Sequence, residues 1–204
     1  MFPNLVTYYI HRAEPLPLTN ALAYQYVLAG NGLFVRAETR FFSVTLPVAP
    51  AVVRGLPLLA AQFQLRVPRL PARLLETILA DARRARRPDG AFNEALYQFH
   101  HHGQTVQVKK PPQRVTGVSV LAAGDNAPTV FCDLHSHGAM AAFFSATDNA
   151  DEQGARLYGV IGRLDGEPEI RLRVGVYGYW QPLPVTAVFA GRGPCKDLYE
   201  EKPL

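Results

Sequence analysis

His135-Ser136-His137-Gly138, with seven residues between His137 and the run Ser145-Ala146-Thr147-Asp148, is the stretch from which the rest of this chain is read. The residues leading into it, Thr129 to Leu134, are all β-branched or apolar except Asp133 and predict a strand ending at the histidines. Alternate side chains of a strand share a face, so His135 and His137 point the same way as Phe131 and Asp133. Cys132 and Leu134 point the other way, and Cys132 is expected as a small buried hydrophobe, not a ligand. Gly138 to Phe144 is long enough for the chain to turn back, and Ser145 would begin a helix carrying Asp148 in its first turn. Two neutral imidazoles and a carboxylate suit a zinc ion, one per chain, and three protein donors leave a fourth position for water. The bland alternative is a core histidine pair followed by an N-capping serine. Each element alone favours that alternative. The full spacing should arise by chance in on the order of one chain in several thousand, so the metal reading is preferred.

Working outward, the chain before residue 60 reads as strands divided by proline: Leu5–Ile10, Tyr24–Leu28, Leu33–Ala37 and Phe41–Val48. Gly30-Asn31-Gly32 suggests a tight hairpin whose Asn-Gly supplies positive φ. After a strand at Gln62–Val67 the period changes, with Leu70, Leu74 and Ile78 four apart and Leu75, Leu79 and Ala82 beside them. That pattern predicts an amphipathic helix of about fifteen residues, with Pro71 in its first turn and a stop before Pro88-Asp89-Gly90. Further strands are expected at Ala95–Phe99, Thr105–Lys109, Val115–Leu121, Thr129–His137, Leu157–Arg163, Ile170–Val176 and Thr186–Phe189, with a short surface helix over Asp148–Arg156. The order predicts an α+β or α/β architecture built on a mixed β-sheet flanked by helices. Three regions follow: a small β-rich part over 1–58, a central domain over 59–192 and a loosely attached tail over 193–204.

The motif resembles the JAMM signature of the MPN metalloprotease family, with His135, His137, Ser145 and Asp148 in the family's own spacing. The resemblance covers about residues 60–190 and implies the family's cytidine-deaminase-like fold, with residues 1–58 as an extension. It also implies an upstream glutamate at the start of the strand after the first helix, a place that Glu94 holds in Asn93-Glu94-Ala95-Leu96-Tyr97. By resemblance, His135, His137 and Asp148 would bind zinc, Glu94 would move the proton of the catalytic water, and Ser145 would help stabilise an oxyanion. Glu76 and Asp89 are the other nearby acids; the first falls inside the helix and the second in the breaker, so Glu94 is preferred. One position departs from the pattern, since Gly138 stands where the family has proline.

Around the motif, Ala141–Asp148 and Tyr158–Gly162 look most like the prokaryotic JAB branch, and more narrowly the PRTRC system protein A group. That likeness implies a peptidase or isopeptidase acting on the carboxyl-terminal tail of a ubiquitin-like or sulfur-carrier-like protein, with an E1-like ThiF homologue as a possible partner. A non-catalytic MPN scaffold is the competing reading. Retention of all five motif positions favours the enzyme.

Composition narrows the classes further. Apolar residues make up 48% of the chain and charged ones 19%, which supports a sizeable core and argues against global disorder. The net charge of +4 owes much to Arg83, Arg84, Arg86 and Arg87 near the end of the expected helix. Such a run reads first as a solvated face favoured by the helix dipole, and nucleic acid as a partner rests on nothing else. Two cysteines make no disulfide framework, and neither a leader nor a membrane-length apolar run stands out. A soluble cytoplasmic protein is the expectation. His100-His101-His102 is expected to face solvent at a turn, because neighbouring imidazoles on a strand splay to opposite faces. Tyr177-Gly178-Tyr179-Trp180 is expected to pack in a core or at an edge.

Overall fold

The computed structural model describes residues 4–103, 105–116, 119–122 and 127–199. They form two compact units. The first comprises the chain through Pro68 with Gln153–Ala155 and Gly175–Gln181; the second comprises Arg69–Glu152, Arg156–Val174 and the residues from Pro182 on.

The first unit is a five-stranded sheet in the order β1 (Val6–Ile10), β2 (Tyr24–Ala29), β3 (Gly32–Glu38), β4 (Phe42–Pro50) and β5 (Gln62–Leu65). β1 and β2 are parallel and the other pairs antiparallel. Val27, Ala29, Phe34 and Leu59 are buried together, with Tyr9 and Leu16 against them. The turn between β2 and β3 differs from the expected Asn-Gly hairpin: the two linking residues are Gly30 and Asn31, and Asn31 is not in the left-handed region. Asn31 instead uses its amide to pair with the main chain of Leu59, donating to its carbonyl and accepting from its N–H, each at 2.9 Å. A Cβ on Gly30 would sit 2.3 Å from the carbonyl oxygen of Leu56, so close backbone approach explains that glycine. Tyr177 and Tyr179 pack as edge aromatics in this unit, Tyr179 sharing a 2.7 Å hydroxyl–hydroxyl hydrogen bond with Tyr26.

The second unit opens with α1 (Arg73–Arg84), whose Leu75, Ile78, Leu79 and Ala82 form the buried stripe that the fourfold spacing predicts. β6 (Leu96–His102) and β7 (Thr105–Lys109) follow, and then a separate hairpin of β8 (Gln113–Thr116) and β9 (Ser119–Ala122). The single strand expected over Val115–Leu121 is thus two, with Gly117 and Val118 between them outside the described residues. β10 (Val130–Ser136), α2 (Ala146–Asp151), β11 (Ala155–Gly162), β12 (Glu169–Val176), β13 (Tyr179–Leu183) and β14 (Lys196–Asp197) complete the chain. The main sheet runs β13-β12-β11-β10-β6-β7, with β14 pairing β12. β10 is parallel to β11 and antiparallel to β6, so the sheet is mixed and the architecture α+β, as expected.

Three further expectations are corrected. Thr186–Phe189 is not a strand: Pro184 leads into a single 3-10 turn at Val185–Ala187, and the Asp197 carboxylate accepts the Val185 N–H at 2.9 Å. The helix expected over Asp148–Arg156 starts and ends earlier, because Ser145 caps it and the chain is already extended at Ala155. Residues 193–199 are not loosely attached, since Cys195 is buried and Leu198 donates to the Ile170 carbonyl at 3.0 Å. Among the described residues no helix is long and apolar enough to cross a membrane, which leaves membrane β-barrels unaddressed.

Candidate metal centre

β10 delivers the histidines as its parity predicts. Cys132 and Leu134 are fully buried on one face, and burial raises the Cys132 thiol far above its ordinary range. Asp133 lies on the histidine face but is held by Arg156, Nη1 to Oδ2 at 2.6 Å, and does not join the cluster. His137 is one residue beyond the strand, its N–H donating to the Ile161 carbonyl at 2.8 Å. There the chain turns. Gly138 has φ +58°, and its carbonyl accepts from Leu164 at 2.9 Å. Proline, locked near −65°, cannot take that conformation, so the turn at Gly138 is built differently from one with proline there. Phe92 packs under it, where a Cβ would come within 2.9 Å of the Phe92 Cβ.

Seven residues later Ser145 caps α2. Its Oγ accepts from Asp148 N–H at 3.2 Å, and Asp148 Oδ2 accepts from Ser145 N–H at 2.6 Å, a reciprocal capping box. The capping alternative for Ser145 is therefore true, and it serves the metal reading, because the box turns Asp148 back toward β10. Asp148 Oδ1 lies 3.2 Å from His135 Nε2 and Oδ2 4.0 Å from His137 Nε2. The two Nε2 atoms are 3.0 Å apart, and among the described residues these three form the one cluster able to hold a metal ion. Tetrahedral donors at about 2.0–2.1 Å from zinc stand about 3.3 Å from one another, so these separations bracket a zinc site.

The electrostatics agree. Burial lowers the His135 pKa to about 4, against the opposing pull of Asp148, and lowers His137 for the same reason. Burial thus favours the neutral imidazole in both rings, the form that can serve as a metal ligand. Two imidazole nitrogens and a carboxylate oxygen at this spacing form a donor set that fits zinc.

Glu94 stands just before β6. Its neighbour Ala95 is laced to Ser136, donating to Ser136 Oγ at 3.1 Å and accepting from Ser136 N–H at 2.9 Å. Burial, and then the negative charge of Asp148, push the Glu94 carboxyl up to about 6. Glu94 is thus a half-buried acid that feels the charge of Asp148 without being one of the three donors. The competing acids are elsewhere: Glu76 is exposed on α1, and Asp89 is exposed, accepting from Ala91 N–H and facing Arg87.

Sequence reasoning missed several neighbours. Phe143 lies edge-on to His137 with ring centroids 4.8 Å apart, and nothing in the spacing marked it. The arginine run is only partly a solvated face. Arg83 donates to the Leu164 and Gly166 carbonyls, and Arg86 bonds Gly90 and covers the Phe92 ring at 4.1 Å. His100 is buried instead of solvent-facing, its Nδ1 paired with Thr129 Oγ1 at 3.0 Å. The alternation Glu169-Ile170-Arg171-Leu172-Arg173 signals only that charges at every second residue of a buried strand need partners, without saying which.

Comparison with known proteins agrees with the motif. A family model described as prokaryotic homologs of the JAB domain matches residues 71–174, just over half of the chain. No curated protein matches. The matched span takes in Glu94, both histidines, Ser145 and Asp148 and leaves the five-stranded sheet outside it, so at the level of the family the motif was read correctly: this chain is a prokaryotic JAB homologue.

Proposed function

We propose that this chain is a zinc-dependent peptidase or isopeptidase that cuts at the extended carboxyl-terminal tail of a ubiquitin-like or sulfur-carrier-like protein. The observation that carries the reading is the convergence of two neutral imidazoles and Asp148 beside Glu94, an acid left out of the donor set. His135, His137 and Asp148 would hold the zinc, which when bound would supply Lewis acidity and lower the pKa of water from about 15.7 towards about 7. Glu94 takes the proton from the attacking water and returns it to the leaving amine. Although raised to about 6, its pKa still lies below 7, so the carboxylate is mostly ionised at neutral pH and yet binds the proton well enough to carry it. Ser145 Oγ accepts from Asp148 N–H and can still donate its own proton to the developing oxyanion, a contribution of about 3 kcal/mol in comparable donors. The exposed Met140 and Phe143 on the same loop supply an apolar contact for a residue beside the scissile bond. The substrate class and an E1-like ThiF homologue as partner are supported by the sequence resemblance alone.

The test uses purified protein with its zinc content measured, incubated with fusions of ubiquitin-like domains bearing carboxyl-terminal extensions. The wild type should cut one of them, and Glu94→Gln should keep about one zinc per chain while turnover falls about 10²- to 10⁴-fold. A Glu94→Gln variant as active as wild type would remove Glu94 from the mechanism. Zinc-loaded wild type that cuts none of the fusions would favour the scaffold reading.

A further inference from the structure

β12 carries charge on one face and apolar side chains on the other: Glu169, Arg171 and Arg173 alternate with Ile170, Leu172 and Val174, and the apolar three are buried. All three charged residues reach the segment between His137 and α2, or α2 itself. Glu169 Oε2 accepts from Ala142 N–H at 3.3 Å, while its other oxygen is held by Arg163 Nε at 2.9 Å. Arg171 Nε donates to the Ala142 carbonyl at 2.9 Å, and its Nη1 donates to Leu198 O at 3.2 Å. One buried residue midway along the seven-residue loop is thus gripped by both its N–H and its C=O. Arg173 reaches further. Its guanidinium carbon lies 3.7 Å from the Phe144 ring centroid, and its Nε donates to Glu152 Oε2 at 2.7 Å. Phe144 immediately precedes the capping serine, and Glu152 closes α2 by donating its N–H to the Asp148 carbonyl at 3.0 Å. Both ends of the helix that carries Asp148 are referenced to one guanidinium.

α2 needs such support. It has six residues and none of them is buried, so it has no apolar stripe of its own, and a helix that short does not hold its conformation unaided. The Arg173–Glu152 pair is itself a poor source of stability, because the loss of solvation on burying both groups, which also raises the Glu152 carboxyl, offsets their attraction. What the pair supplies is geometry. We propose that Glu169, Arg171 and Arg173 are positioning residues that set the path of the Gly138–Phe144 loop and the seat of α2, so that Asp148 meets His135 and His137 at metal-binding distance. The inference rests on the reading of that triad as a zinc site, and it assigns to β12 the accuracy of the third donor.

The experiment compares wild type, Arg171→Met and the double variant Glu152→Gln/Arg173→Met. The double variant is used because Arg173→Met alone would leave the buried Glu152 carboxyl without its partner and threaten folding. Zinc affinity is read by competition with a chromophoric chelator, and donor geometry from the visible spectrum of the cobalt-loaded protein. Leu172→Ala, on the apolar face of the same strand, serves as the control for destabilisation alone. Arg171→Met and the double variant should fold, bind zinc about 10- to 100-fold more weakly and change the cobalt spectrum. Leu172→Ala should melt earlier with affinity and spectrum unchanged. Folded Arg171→Met and double variants with wild-type affinity and spectrum would overturn the proposal, as would Leu172→Ala losing zinc equally. Wild type that takes up neither zinc nor cobalt would instead bring down the metal reading itself, and this inference with it.

Discussion

Two neighbouring strands of the main sheet each carry a His-x-His pair, and only one pair is shaped to hold a metal. On β6 the His100 and His102 rings are parallel within 1° and 6.1 Å apart, close to the two-residue repeat of a strand. Rings stacked in that way are held at strand spacing and cannot converge on one ion. On β10 the His135 and His137 rings are tilted by 51° with centroids 4.9 Å apart, and their Nε2 atoms close to 3.0 Å. The tilt is available because His137 is past the last residue of its strand, whereas His102 is still in the ladder, paired with Thr105. A carboxylate then arrives on the β10 pair from α2, while His100 is occupied by Thr129. Spacing puts two imidazoles on one face; a strand end and a donor from another element make the site.

The largest expected effect contrasts the two pairs directly. His137→Ala should reduce metal content from about one zinc per chain to near none after a mild chelator wash, because two remaining donors cannot hold the ion. His102→Ala should leave the content unchanged. Elemental analysis of both variants checks it, and loss of zinc from His102→Ala would move the site to β6.

Next come the two glycines that follow the pairs. Gly103 after His102 and Gly138 after His137 both have positive φ, +61° and +58°. A Cβ at 103 would meet nothing within 4 Å, whereas at 138 it would run into Phe92 at 2.9 Å. Gly103→Ala should therefore cost only the left-handed backbone, about 1 kcal/mol. Gly138→Ala should cost about 2–3 kcal/mol, adding displacement of Phe92 to the same backbone strain. Denaturant midpoints of the metal-free proteins test this. Equal costs would mean that the turn after His137 is no more constrained than the one after His102.

This contrast also explains what could be read in advance. His135, His137, Ser145 and Asp148 lie within fourteen residues, so strand parity and a capping signal place them without knowledge of the fold. Glu94 was found by its place after α1 and by family resemblance. The α1 stripe was equally legible, since Leu75, Ile78 and Leu79 are helical neighbours. The α2 boundary was misjudged at a local cap, Ser145, but the other errors fall where the deciding partner is distant in sequence. His100 is buried by a hydrogen bond to a residue 29 positions on, and Arg171 takes its role from Ala142, 29 positions back. Val185 turns because Asp197, twelve residues later, accepts its N–H. Periodicity carries no information about such pairs. Gly138 belongs to both classes: its identity announced a turn, but the contact with Phe92 that excludes a side chain there is tertiary.

The smallest effects separate local support from tertiary support. Thr129→Val removes the hydrogen bond to His100 and should cost about 1 kcal/mol of stability with no change in zinc affinity, because nothing in the triad depends on it. Ser145→Ala removes the side-chain half of the α2 cap, also worth about 1 kcal/mol. Its consequence should differ in kind. α2 buries no residue of its own, so loss of the cap is felt first as fraying of the turn that holds Asp148 and only then as global instability. Zinc affinity should fall by several-fold at a melting temperature close to that of Thr129→Val. If Ser145→Ala lowers the melting temperature while zinc binding is untouched, Asp148 is held by β12 without help from its own helix cap, and the β12 row alone sets the third donor.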